Sequence, residues 1–216
     1  LYGSLYPLFA PSRTTSTPDA HSAMMRAFEA YITARRMRAL PGHILLDLCE
    51  HFCGLAESPT TSPTVPQWRR RLESCLLCLD VRSMPLPPLL AATRRLRLLS
   101  AYAHACATGL GDYAAPLDAF FAAMDGALAP LPRAIFASST DRDAMDAALE
   151  QLGRLPCSPP SEGGDARAIG RVLLLYLRHC ISGVSFPAGE RLEEEQAVLA
   201  RTHACAYIFD GSRDLN

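Results

Sequence analysis

Cysteine and histidine are the residues of this chain best suited to chemistry, and two cysteine pairs have the spacing of metal ligands. Cys49 and Cys53 are four residues apart, and Cys75 and Cys78 are three residues apart. On a helix, either spacing places both thiols of a pair on one face. Four thiolates from two packed helices would suit tetrahedral zinc. A zinc site at these four cysteines is therefore one hypothesis.

The favoured interpretation is that the cysteines are buried free thiols. Seven of the eight cysteines fall in segments with helical periodicity, among leucine, alanine and phenylalanine. A buried thiol packs as a small hydrophobic group. Both pairs lie in amphipathic helical segments and not in the turns that commonly surround a zinc ligand. We therefore expect no metal, no cofactor and a reducing, intracellular location.

Sequence motifs of the common enzyme classes are missing from the chain. It contains no glycine-rich phosphate loop, no G-x-S-x-G and no H-E-x-x-H. His104 and Cys106, like His203 and Cys205, are two residues apart, and residues at that spacing face nearly opposite sides of a helix. These pairs cannot act as nucleophile and base. No apolar run is longer than that at Val172–Leu177, which is far shorter than the roughly 20 residues of a membrane-spanning helix. We expect neither an enzyme nor a transmembrane segment.

Arginine forms three clusters, which are the candidate partner-binding residues. The clusters consist of Arg35, Arg36 and Arg38; Arg69, Arg70 and Arg71; and Arg94, Arg95 and Arg97. If their helices align, the guanidinium groups would form one basic face able to bind carboxylates or phosphates. We expect the partner to be an acidic protein surface or peptide. Nucleic acid is disfavoured because no recognition-helix pattern or aromatic platform accompanies the arginines.

An ordinary solvated surface is the alternative for these clusters, because the chain has 21 arginines and no lysine. The charge is also uneven along the sequence. Residues 1–110 carry 12 arginines and 7 acidic residues, whereas residues 111–216 carry 9 arginines and 15 acidic residues. A chain with a basic and an acidic half can associate head to tail, which leaves self-association open.

Proline positions and apolar spacing of three and four residues predict an all-α fold. The predicted helices cover residues 18–38, 41–57, 66–81, 87–108, 115–128, 139–155, 165–184 and 188–209. The helix at 165–184 is apolar almost all round at Val172–Leu177, so we expect it to be the central and most buried element of a multi-helix bundle.

The predicted organisation is a single domain with three parts. Residues 1–16 form an extended N-terminal segment, residues 17–155 a helical body, and residues 165–211 a C-terminal helical pair packed on that body. The stretch from Pro156 to Gly164 is rich in proline, serine and glycine, which favours a boundary there.

The overall composition resembles that of proteins from GC-rich large DNA viruses, alphaherpesviruses above all. It combines the absence of lysine and a single asparagine, Asn216, with abundant alanine, leucine, arginine and proline and frequent cysteine. The resemblance implies a tegument, capsid-associated or regulatory protein that contacts viral and host proteins in the host cytoplasm or nucleus. The sequence thus favours a non-enzymatic helical interaction module. A nucleic-acid-associated or zinc-stabilised regulatory domain is the alternative.

Overall fold

The computed structural model describes residues 18–54, 67–127, 129–132, 135 and 165–209. In these ranges the regular elements are helical, apart from one isolated antiparallel bridge between Val184 and Arg191. The predicted all-α fold is confirmed. The α-helices are α1 (Pro18–Thr33), α2 (Gly42–Gly54), α3 (Gln67–Leu77), α4 (Leu86–Arg95), α5 (Leu99–His104), α6 (Ala115–Met124), α7 (Asp165–Ser182) and α8 (Glu194–Phe209). A 3-10 turn, Val81–Ser83, precedes α4, and a π-helical turn, Ala105–Leu110, continues α5.

The chain divides into two compact units between Pro85 and Leu86. The first unit contains α1 to α3, and the second contains α4 to α8. In the second unit, α5 and α6 pack against α7. The predicted boundary at Pro156–Gly164, between a helical body and a C-terminal helical pair packed on it, stays a prediction. The predicted N-terminal segment 1–16 and the predicted helix 139–155 lie outside the described residues.

The core of the first unit forms where the apolar faces of its three helices meet. In each helix, the buried side chains recur every three or four residues, which is the spacing that places them on one face. The largest of them are Met25, Phe28 and Ile32 on α1, Ile44, Leu45, Leu48 and Phe52 on α2, and Leu72 and Leu76 on α3. The apolar side chains of α2 and α3 that recur with helical spacing thus form part of this core.

Tyr176 of α7 lies at the centre of the second unit. Its side chain is fully buried, and its hydroxyl donates a hydrogen bond to the main-chain oxygen of Tyr113 at 3.1 Å. The rings of Phe120 and Phe186 pack against it at centroid distances of 5.8 and 5.4 Å. On α8, small alanine side chains line the buried face, which allows close packing of that helix on the same core.

Two helices are each followed, two residues after their end, by an arginine in left-handed backbone conformation. Arg35 has φ 54° and Arg97 has φ 55°. In the same turns, the N–H of Arg36 bonds the Tyr31 oxygen, and the N–H of Leu98 bonds the Thr93 oxygen, both at 2.9 Å. This is the helix-ending pattern that glycine usually supplies. The predicted helices 18–38 and 87–108 are therefore too long: α1 ends at Thr33, and the second is divided into α4 and α5.

The predicted helix at 165–184 is present as α7 and packs against α5, α6 and α8, but it is not buried all round. The Leu174 side chain is 68% exposed. The reason is that Arg171 and Arg178 lie on the same face, three residues before and four residues after Leu174. The last helix also differs from its prediction. It begins at Glu194 and not near Pro187, because residues 183–193 form the loop that contains the Val184–Arg191 bridge.

Candidate protein-binding surface

Among the predicted arginine clusters, the one on α3 contains an internal structural contact. The Arg71 guanidinium donates two hydrogen bonds to the Glu29 carboxylate of α1, Nε to Oε1 at 2.9 Å and Nη2 to Oε2 at 2.6 Å. It also stands over the Phe52 ring of α2, 5.6 Å from the centroid. Arg71 therefore links the three helices of the first unit, and its charge is already matched by a carboxylate.

The cluster at the end of α4 also bonds within its own unit. The Arg94 Nε donates to the main-chain oxygen of Ala129, and the Arg97 Nη2 donates to that of Gly126 at 2.6 Å. Both acceptors belong to the segment that follows α6. These two side chains therefore hold that segment against the end of α4, and Arg95 beside them is half-buried.

The other predicted arginines are more available to a partner. Arg35, Arg36, Arg38 and Arg70 are exposed. The clusters at 35–38 and 69–71 fall in the first unit, whereas the cluster at 94–97 falls in the second. The single basic face formed by all three clusters stays a prediction.

The four cysteines of the predicted zinc site are mostly buried, and none of the four forms a disulfide bond. Burial raises the pKa of Cys75 to about 12, and the pKa of Cys49 is raised still further. In the described part of the chain, no three histidine, cysteine, aspartate or glutamate side chains are arranged to hold a metal ion. Cys49, Cys53, Cys75 and Cys78 are thus not brought together as a ligand set.

A polar cluster lies on α1 and α2 of the first unit. The rings of His21 and His51 are 6.4 Å apart and meet edge to face. Partial burial lowers the pKa of both imidazoles, which favours their neutral forms. Burial, with a contribution from Glu50, raises the pKa of Asp47 to about 6. The cluster brings imidazoles close to carboxylates, but the described side chains do not assemble a metal site there.

The outer faces of α7 and α8 carry most of the exposed apolar side chains. Nine large hydrophobic residues are exposed in the described ranges, and seven of them belong to these two helices. They are Leu174, Leu175, Ile181, Val198, Leu199, Ile208 and Phe209, which we call the α7–α8 outer surface. Such a concentration of exposed apolar side chains is typical of an interaction surface.

On α7, three arginines and two apolar residues share a single exposed line. The line consists of Arg167, Arg171, Leu174, Arg178 and Ile181, which we call the α7 stripe. The residues are spaced alternately four and three apart, so all five lie on one face of the helix. The spacing of these residues within one helix is visible in the sequence, but the prediction of binding residues rested on consecutive arginines and did not include this set.

The arginines of the α7 stripe have no carboxylate partner among the described residues. Ion pairs in that part of the chain join Arg71 to Glu29 and Arg201 to Glu194. Arg201 also donates a hydrogen bond through Nε to the Ile181 main-chain oxygen at 3.3 Å, which places this α8 side chain beside the end of the stripe.

Comparison with known proteins identifies the helical fold more closely. A family model described as the Vps8 central TPR matches residues 24–215. The chain belongs to the Vps8 central TPR family. TPR repeats are helix–turn–helix units that stack side by side in an all-α fold. No curated protein and no solved structure matches the chain.

Assignment to the Vps8 central TPR family agrees with the arrangement of α7 and α8. The chain reverses direction between these helices at the antiparallel Val184–Arg191 bridge, so they form a helix–turn–helix unit. In repeat folds, each unit buries one side against its neighbour and leaves another side for binding. In the described ranges no helix has the length and apolar character needed to span a bilayer.

Proposed function

We propose that this Vps8 central TPR-family chain is a non-enzymatic protein-interaction scaffold that binds its partner through the α7–α8 outer surface. One observation carries the proposal: seven of the nine exposed large hydrophobic side chains in the described ranges lie on these two helices. The family supports it in general terms, because stacked helical repeats commonly present extended surfaces to other proteins.

Packing beneath the surface supports the same proposal. The inner face of α7 fills the core through Ile169, Leu173, Tyr176 and Cys180, so the fold does not need the outer side chains. Burying an exposed leucine or phenylalanine against a partner contributes roughly 1.5–3 kcal/mol. Leu174 is 68% exposed and Phe209 is 81% exposed. Of the exposed apolar side chains, these two therefore have the largest fraction of surface that a partner could bury.

The finer features of the proposal come from the sequence. Exposed arginines such as Arg36, Arg38 and Arg70 favour a partner with acidic groups. The lysine-free composition supports a viral tegument or regulatory scaffold, and the buried thiols support an intracellular location. The acidic partner, the viral origin and the intracellular location are therefore part of the proposal, together with the binding surface.

Site-specific photo-crosslinking tests the proposed surface. A photoreactive amino acid is placed at Leu174 or at Phe209, with Ser74 as the matched control because it is an exposed helical position of the first unit. After irradiation in cells of the source organism, we expect discrete protein adducts from the two α7–α8 positions and none of comparable yield from Ser74. Equal yields at all three positions, or no adduct at Leu174 and Phe209, would contradict the proposal.

A further inference from the structure

The spacing of the α7 stripe is that of a helix-binding seam. Leu174 and Ile181 are seven residues apart, and so are Arg171 and Arg178. A seven-residue repeat of apolar side chains is the pattern by which one helix packs along another. The stripe extends from Arg167 to Ile181, and a helix rises 1.5 Å per residue, so the seam is about 21 Å long. A partner helix of about four turns would cover it.

The charge of the α7 stripe indicates the chemistry of its partner. Its three arginines lie in the half of the chain that is acidic overall, with 9 arginines against 15 acidic residues in 111–216. None of the three is paired with a described carboxylate. Arginine packs its aliphatic stem along apolar neighbours and extends a planar guanidinium that binds carboxylates through two hydrogen bonds.

We propose that the α7 stripe binds an acidic amphipathic helix of another protein. The apolar side chains of that helix pack on Leu174 and Ile181, and its glutamate or aspartate residues pair with Arg167, Arg171 and Arg178. The inference rests on the proposed function and names the chemistry of the partner at that surface.

Two other classes of ligand fit the stripe less well. A nucleic acid backbone would pair with the arginines but would leave Leu174 and Ile181 in water. A helix that lies in a membrane surface separates its charged face from its apolar face. On α7, arginine and apolar residues instead lie on the same line, so contact of Leu174 with lipid would bring Arg171 and Arg178 to the same depth. An acidic amphipathic helix can pair with the arginines and also bury Leu174 and Ile181.

Binding of two synthetic helical peptides to the full chain tests the proposal. Both peptides are about 18 residues long and carry leucine in a seven-residue repeat, flanked by glutamate in one and by lysine in the other. The chain is compared with an Arg171→Glu, Arg178→Glu variant and with an Arg26→Glu, Arg82→Glu control. The control makes the same charge change at two exposed arginines of the first unit. Fluorescence anisotropy of a labelled peptide gives Kd at low and at high salt.

We expect the wild type to bind the glutamate peptide and not the lysine peptide, with affinity falling as salt rises. The α7 variant should lose about tenfold or more in affinity for the glutamate peptide and gain affinity for the lysine peptide. The control should stay within about twofold of wild type. If the α7 variant does not fold, as judged by circular dichroism, an Arg171→Gln, Arg178→Gln variant takes its place and should show the same loss without the gain.

Three results would overturn the inference. One is equal affinity for the two peptides, and another is an equal loss in the control variant. The third is tighter binding to phosphatidylserine vesicles, to duplex DNA or to a second copy of the chain than to the glutamate peptide. If Leu174 forms crosslinks to a protein while the glutamate peptide fails to bind, the proposed function stands and only the partner's chemistry is wrong. If neither occurs, both proposals fail.

Discussion

Arg71 on α3 and Arg178 on α7 are both exposed arginines on helices, yet their surroundings differ completely. Arg71 bonds the Glu29 carboxylate through two nitrogens and stands over Phe52, whereas Arg178 has no ion-pair partner in the described ranges. Consecutive arginines, as at 69–71, point to different sides of a helix, so few of them can serve one partner. Arginines spaced three or four residues apart share a face. Spacing is therefore a better guide to a binding face than local density.

The two units also use charge differently. In the first unit, the Arg71–Glu29 pair joins helices, and the neighbouring histidines and Asp47 are partly desolvated. In the second unit, the centre of α7 is held by Tyr176, and the arginines of the α7 stripe face solvent. Substitutions in the first unit should thus change stability, whereas substitutions of the stripe should change binding.

The largest expected effect is a difference in stability between a substitution on the buried face of α7 and one on its exposed face. Tyr176→Ala removes a fully buried ring and its hydrogen bond to Tyr113, so the free energy of unfolding should fall by about 3–5 kcal/mol. Leu174→Ala, two residues away on the exposed face, should change it by less than about 0.5 kcal/mol. Urea denaturation followed by circular dichroism measures both. Comparable losses would mean that α7 is buried on both sides.

A smaller effect is expected from the ion pair of the first unit. Arg71→Gln removes the paired cation and the contact with Phe52, and leaves Glu29, whose side chain is only 18% exposed, without its partner. The expected loss of unfolding free energy is about 1 kcal/mol. The matched control, Arg70→Gln, should stay within about 0.5 kcal/mol. Equal losses for the two variants would mean that the contacts of Arg71 with Glu29 and Phe52 do not stabilise the first unit.

The smallest effect is a pH dependence that originates at Asp47. Its carboxyl has a pKa raised to about 6, mainly by burial, so the folded chain keeps this proton at pH values where the unfolded chain has lost it. Stability should therefore fall as pH rises from about 4 to about 6, and this contribution should be constant above that range. Asp47→Asn should become more stable relative to wild type over that interval.

Thermal unfolding of both proteins at several pH values measures this difference. The control is Asp125→Asn, an exposed aspartate of the second unit. A constant difference between Asp47→Asn and wild type from pH 4 to pH 6 would show that the Asp47 carboxyl titrates normally.

The sequence predicted the helices well because apolar side chains recur with helical spacing, as at Leu45, Leu48 and Phe52. It predicted the helix ends poorly. Two of them are formed by Arg35 and Arg97 in left-handed conformation, and arginine carries no signal of a helix end. The loop after α7 was also missed, because Pro187 was interpreted as the start of a helix that begins at Glu194.

The candidate surface was only partly predictable. The pairing of Arg71 with Glu29 joins residues 42 positions apart, so sequence spacing could not reveal it. The α7 stripe, in contrast, can be read from spacing within one helix. The apolar run Val172–Leu177 is long enough to cover every side of a helix, so it predicts a helix that is buried all round. For that reason an exposed binding face on α7 was not expected. Leu174 and Leu175, within that run, are exposed.

Hydrogen–deuterium exchange of the full chain, with and without the glutamate peptide, tests most directly whether the binding face lies on α7. Amide exchange reports local opening, which a bound partner suppresses. We expect the peptide to slow exchange in α7, Asp165–Ser182, and to leave α3, Gln67–Leu77, unchanged. Slower exchange in α3 with no change in α7 would contradict this account and assign binding to the arginines at 69–71.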